Sequence, residues 1–78
     1  MMKLRKLDLP EIQKQLLKCK DCKAEAVFNF LSTCDGMSYG DAMANLEMDA
    51  KLYKWNAHTQ KAIREGIDVA SRVAKVTE

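Results

Sequence analysis

The fold of this chain depends on residues 35–56, DGMSYGDAMANLEMDAKLYKWN. Asp35-Gly36 predicts the end of a helix, because glycine readily takes the left-handed conformation that follows many helix ends. Ser38 is a typical N-terminal cap, so a short helix is expected over 38–46. The break at Glu47-Met48-Asp49 predicts a new helix, capped by the last of these three residues. The stretch is therefore either two helices bent so that one can reach a ligand, or simply a corner in a helical bundle.

Helical periodicity and caps predict the remaining helices. Asp8, Pro10 and Glu11 form a typical helix start. Gly66 lies inside the long last apolar run and indicates a bend or helix end there. No segment alternates with a period of two, so no sheet is expected. The 78 residues therefore predict one all-α domain with four to five helices, at about 9–18, 21–33, 38–46, 50–65 and 67–76. The apolar face after the break is expected to contain Leu52, Trp55, Thr59, Ile63, Ile67, Ala70 and Val73.

The charge of the chain is spread unevenly, although the net charge is only +2. Residues 1–23 hold seven Lys or Arg and three acids, residues 24–50 hold five acids and no base, and residues 51–78 hold six bases and three acids. This layout indicates two distinct polar faces and lacks the strongly basic balance typical of nucleic-acid binding. No apolar run approaches the ~20 residues needed to span a bilayer, and the basic start lacks a signal-peptide core. We expect a cytoplasmic protein without membrane insertion.

The three cysteines, Cys19, Cys22 and Cys34, are an odd number in a chain without a secretory signal, which argues against a disulfide scaffold. Cys19 and Cys22 have the two-residue gap common among zinc ligands and redox pairs. A zinc site would need Cys34 and His58, but a helix over 21–34 would place Cys22 and Cys34 about 18 Å apart. We therefore expect half-buried thiols and no metal or other cofactor, with a redox role for Cys19 and Cys22 left open.

A basic stripe is expected on the helix after the break. Lys51, Lys54, His58 and Lys61 share one face at helical spacing. Ammonium groups can neutralise phosphates or reach guanine, and the amides of Asn and Gln can pair with adenine. A charged stripe is also typical of a solvated helix face. The flanking positions hold Asn56, Gln60 and Arg64.

Residues 28–49, FNFLSTCDGMSYGDAMANLEMD, resemble the support helix, glycine turn and first helix of many bacterial and phage helix-turn-helix domains. The LYKW sequence at 52–55 looks like the end of a recognition helix in transposase-like and phage terminase small-subunit domains. Residues 61–75 are similar to the helical tail that follows the motif in terminase-type proteins. The resemblance covers about residues 24–75 and implies a helix-turn-helix-like unit in a phage-related protein or a transcriptional regulator.

The resemblance also implies how the chain would bind duplex DNA, with the fourth helix in the major groove. The phosphate contacts would be Lys51, Lys54 and Lys61, the base contacts Asn56, His58 and Gln60, and the N-terminal arm Lys3, Arg5 and Lys6. One such module binds weakly, so a homo-oligomer is expected to supply affinity. Its contact would come from Ile67, Val69, Val73 and Val76, which equally can close the core.

A non-enzymatic protein-interaction module is the alternative function: an adaptor, regulator or inhibitor that binds a protein partner. The acidic middle of the chain would then be the recognition surface, and its methionines would offer adaptable contacts. We expect no enzyme, because the single histidine has no partner in a nucleophile–base arrangement. Gly36, Gly40 and Gly66 are too scattered for a phosphate loop. DNA binding and protein binding both stay open from the sequence.

Overall fold

The computed structural model describes residues 3–77, and the side-chain surroundings of residues 3–74. Within the described residues, the chain forms four helices: α1 (Leu9–Leu17), α2 (Ala24–Thr33), α3 (Tyr39–Leu52) and α4 (Ala57–Thr77). That part of the chain contains no strand, and its one β-bridge is the isolated pair Lys3 and Ser38. The prediction of an all-α domain is confirmed.

The central helix is α4, on which α1, α2 and α3 all pack. Its inward face repeats every three or four residues, as an amphipathic helix requires. The fully buried members of this face are Thr59, Ile63, Ile67, Ala70 and Ala74. The sequence indicated a bend or helix end at Gly66, but α4 continues through this residue. A Cβ at this position would lie 2.6 Å from the Cδ2 methyl of Leu31 in α2, so the glycine allows α2 and α4 to approach closely.

The corner between α3 and α4 lies further along the chain than predicted. α3 continues through the expected break at Glu47-Met48-Asp49, because Leu46 and Ala50 are one turn apart and both buried. The chain turns at residues 53–56 instead, and Asn56 caps α4: its Oδ1 accepts a hydrogen bond from the Thr59 N–H at 2.8 Å. The prediction of separate helices at 50–65 and 67–76 is therefore wrong. Leu52, expected in the core, is 69% exposed in the last turn of α3.

The loop between α1 and α2 also corrects two expectations. α2 begins at Ala24, because Asp21 has a φ of 62°, in the left-handed region that an α-helix excludes. Cys19 and Cys22 form a disulfide across this loop, with Cα atoms 5.9 Å apart. A two-residue gap in a loop brings the Cα atoms within the usual range for a disulfide. The expectation of free thiols there is wrong, and it holds only for the buried Cys34.

The N-terminal segment is anchored to the last turn of α2 and to the loop between α2 and α3. Leu4 and Leu7 are buried in the core, and three backbone hydrogen bonds hold the segment in place. The Leu4 N–H donates to the Met37 carbonyl at 2.7 Å, the Gly36 N–H donates to the Leu4 carbonyl at 2.9 Å, and the Leu7 N–H donates to the Leu31 carbonyl at 3.1 Å. This extended segment therefore closes the end of the helical domain.

Candidate binding surfaces

The basic stripe predicted on one helix is divided over three elements. Lys51 lies in the last turn of α3, and Lys54 lies in the turn with a φ of 56°. Only His58 and Lys61 belong to α4, where both are exposed. The four side chains therefore do not share the regular helical spacing that the sequence suggested, because the helix start moved from residue 50 to residue 57.

The two amides expected at base edges hold the turn between α3 and α4. Besides capping α4, Asn56 donates from Nδ2 to the Asp21 carbonyl at 2.9 Å. Gln60 donates from Nε2 to the Trp55 carbonyl at 2.9 Å. A DNA base would have to compete with these hydrogen bonds for either amide.

The remaining residues of the predicted DNA surface lie elsewhere. Arg64 is exposed on α4 near Tyr39, whose hydroxyl donates to Asp68 at 2.8 Å. That hydrogen bond raises the pKa of Tyr39, an effect that the charge of Arg64 partly offsets. Lys3 and Arg5 are exposed on the anchored N-terminal segment, beside the α2–α3 loop.

The apolar residues proposed for an oligomer contact are largely occupied within the domain. Ile67 is fully buried, and Val69 packs against the core from a partly buried position. Val73 is also partly buried. The side chain of Val76 lies outside the described residues.

An open groove of about 870 Å³ lies between α2 and α3. Both helices are wholly described, and no Cα atom of one comes within 8 Å of the other, since each rests on α4 instead. Ala26 and Thr33 line the α2 side of the groove, and Asn45 and Asp49 line the α3 side. The short side chains of α2 leave the space between the two helices unfilled.

Aromatic rings form one end of this groove. The ring of Trp55 meets Phe30 edge to face, with centroids 6.4 Å apart. Tyr53 also stacks on Trp55, with centroids 5.8 Å apart, and is itself 59% exposed. Met48 and Leu52 are exposed on α3 at helical spacing beside the lining residue Asn45. Neither side chain lines the groove, whose exposed apolar surface comes mainly from Tyr53 and the partly buried Trp55.

The charged residues that line the groove are two carboxylates, Glu25 and Asp49, and one ammonium group, Lys23. The segment that contains α2 and most of α3, residues 24–50, holds five acids and no base. Four of them are exposed and Asp49 is partly buried. The ion pair that the described residues form joins Lys14 and Glu11 of α1. No acid of residues 24–50 forms an ion pair within the described part of the chain. Glu25 and Asp49, the two acids that line the groove, are therefore free to pair with a cationic ligand there.

A smaller cavity of about 230 Å³ lies between α1 and α4. Gln15 contributes to it from the buried side of α1, and a carboxylate, Glu65, lies at its rim. The basic side chains that line it are Lys18, Lys20, His58 and Lys61. Gln15 was not recognised from the sequence, although a polar residue between Ile12 and Leu16 on an apolar helix face is a detectable signal.

The disulfide loop forms part of the wall of this cavity. Both sulfur atoms contact the His58 carbonyl oxygen, Cys19 at 3.4 Å and Cys22 at 3.3 Å. The Lys23 N–H donates to the Thr59 hydroxyl at 3.0 Å. The loop is therefore fixed against the first turn of α4, so that Lys20 of the loop and His58 of α4 line the same cavity.

No protein-family model, curated protein or solved structure matches this chain. Within the described residues, no group of three or more His, Cys, Asp or Glu side chains is arranged to hold a metal ion. No helix of that part of the chain is long and apolar enough to cross a membrane. The groove and the basic cavity are therefore the two features of the molecule that suggest a function.

Proposed function

We propose that the chain is a protein-interaction module whose partner docks in the groove between α2 and α3. The observation that carries this proposal is the open groove itself, whose lining combines Trp55 and the exposed Tyr53 with two carboxylates that form no ion pair among the described residues. Apolar anchors with surrounding charge are typical of surfaces that bind another protein.

The occupant that fits this groove is a basic amphipathic helix. The groove is lined by α2 from its first residue, Ala24, to its last, Thr33, and by α3 on the other side. A cleft between two helices is the geometry of helix-in-groove recognition. Apolar side chains of such a helix would contact Trp55 and Phe30, and its Lys or Arg residues would pair with Asp49 and Glu25. Charge complementarity of this kind selects the partner and accelerates association.

Synthetic helical peptides test this proposal with Trp55 as the reporter. Trp55 is the single tryptophan of the chain and lines the groove. Three 16-residue peptides would share one stripe of Leu and Phe and differ only in having basic, neutral or acidic polar faces. We expect the basic peptide to change Trp55 fluorescence saturably and to bind most tightly at low salt.

A matched pair of variants locates the binding site. Ala26→Phe places a ring in the groove and should abolish binding, whereas Ala44→Phe adds the same ring on α3 at an exposed position outside the groove lining. Circular dichroism confirms that both variants fold. Equal binding of the basic peptide to Ala26→Phe and to the unmodified chain would refute the groove as its site.

A second candidate function is binding of duplex DNA, which the resemblance to helix-turn-helix domains implies. The specific observation in its favour is a set of exposed basic side chains that line the α1–α4 cavity: Lys18, Lys20, His58 and Lys61. Binding should then weaken log-linearly with salt, and Lys61→Ala should reduce the slope by about 1. Light scattering of the complex would show whether a homo-oligomer supplies affinity. Absence of binding at low salt would exclude this function.

A further inference from the structure

Gln15 is a buried polar side chain without a hydrogen-bond partner in the described part of the protein. It is 4% exposed and lies on the apolar face of α1, next to the buried Ile12. None of the described groups forms a hydrogen bond with its amide. Among the described residues that are not exposed, every side-chain N or O atom without a hydrogen bond is nevertheless in contact with solvent. The amide must therefore open into the cavity that Gln15 lines. Solvent therefore reaches the amide through this cavity, and a ligand that enters the cavity can hydrogen-bond it.

The surroundings of this amide are strongly cationic. Lys18 and Lys20 approach the cavity from the end of α1 and the disulfide loop, and Lys61 approaches it from α4. None of these three lysines forms an ion pair with a described residue. One acid, Glu65, lies among them, so the three ammonium groups outnumber the carboxylates. The first turn of α4, which contributes His58, adds the partial positive charge of a helix N-terminus.

We propose that this cavity is a binding site for one phosphate group. The Gln15 amide would donate a hydrogen bond to a phosphate oxygen at the buried end, and the lysines would compensate the charge at the open end. The volume of 230 Å³ equals that of roughly eight water molecules, which is enough for a tetrahedral oxyanion and part of its organic substituent. This proposal does not depend on the groove between α2 and α3.

The phosphate group can come from a small phosphorylated molecule or from the backbone of a nucleic acid. Both sources offer the same charged oxygen atoms to Gln15 and the lysines. The two probes that distinguish them are inorganic phosphate and a 12-base-pair DNA duplex, each added at constant ionic strength to the full ¹⁵N-labelled chain.

The side-chain amide signal of Gln15 is the direct readout. We expect it to shift saturably with at least one of the two probes and not with matched additions of sodium chloride. A shift with inorganic phosphate indicates that the site accepts a free phosphate, and a shift with the duplex alone assigns the site to a nucleic-acid backbone. No saturable shift of this signal with either probe would overturn the proposal.

Two glutamines of α1 provide a matched pair of variants. Gln15→Leu should weaken binding at least about tenfold, because it removes a hydrogen bond to a charged ligand. Gln13→Leu changes an exposed glutamine on the same helix and should leave binding unchanged. Gln15→Leu keeps the volume and removes an unpaired buried amide, so the variant should fold, and thermal unfolding checks this. Unchanged affinity of Gln15→Leu would refute the assigned site.

Glu65→Gln tests the charge argument separately. It removes the one carboxylate at the rim without changing the size of the side chain, so binding of inorganic phosphate or of the duplex should become several-fold tighter. Weaker binding of either probe to this variant would contradict the proposed position of the phosphate.

Discussion

Gly66→Ala should destabilise the protein, although a glycine-to-alanine change at a solvent-exposed position inside a helix usually stabilises a protein. Alanine is favoured over glycine by about 1 kcal/mol inside a helix. At this position the added Cβ would lie 2.6 Å from Leu31 Cδ2, and Leu31 is fully buried, so its side chain has little room to move. Overpacking of a core costs about 1–3 kcal/mol. The two terms leave a net loss of about 1 kcal/mol in the free energy of unfolding, or roughly 4–8 °C in Tm for a domain of this size.

Urea denaturation followed by circular dichroism measures this loss, with Gly40→Ala as the control. Gly40 lies in the first turn of α3, where a new Cβ has no neighbour within 4 Å, so that variant should be as stable as the original chain or slightly more stable. Leu31→Val removes methyl groups that the new Cβ would meet. In that background, Gly66→Ala should cost less or become favourable, which a double-mutant cycle detects as coupling. If Gly66→Ala alone raises the stability, α2 and α4 do not approach as closely as argued.

Three further predictions concern single interactions. Asn56→Ala should lower the free energy of unfolding by about 1–2 kcal/mol, because α4 loses its cap, and Asn56→Asp should recover part of the loss in the same urea assay. The hydrogen bond to Asp68 raises the pKa of Tyr39. The stability that this hydrogen bond contributes is therefore present below pH 10 and is lost as the pH rises through the pKa of Tyr39 in the folded protein. Absorbance at 295 nm should show tyrosinate forming at lower pH in Asp68→Asn, and an identical titration would contradict this. Burial raises the pKa of the Cys34 thiol, so iodoacetamide should modify it only as fast as urea unfolds the protein, and rapid labelling of the folded chain would refute that.

The sequence alone determined the helical class and those helix starts that depend on local hydrogen bonds. Asp8 accepts from the Glu11 N–H at 3.2 Å, and Ser38 accepts from the Asp41 N–H at 3.1 Å. Gly36, predicted to end a helix, has a φ of 85°. These features involve residues three positions apart or a single backbone conformation, so no knowledge of the tertiary fold is needed to predict them.

The position of the α3–α4 corner was decided by tertiary structure. Asp49 and Asn56 are both good capping residues, and the sequence offered no reason to prefer the second. Asn56 is used because its amide also bonds the Asp21 carbonyl, 35 residues away, and because Ala50 is buried and keeps α3 helical. That shift of one helix start divided the predicted DNA-binding stripe.

Both candidate sites likewise depend on packing between distant segments. The groove exists because α2 and α3 rest on α4 without contacting each other, and the basic cavity joins Gln15 of α1 to Lys61 of α4. The distribution of charge along the sequence predicted two distinct polar faces, but it did not predict the groove or the cavity. A cavity is the volume that neighbouring helices fail to fill, so it is set by the way helices pack and not by the periodicity of any one of them.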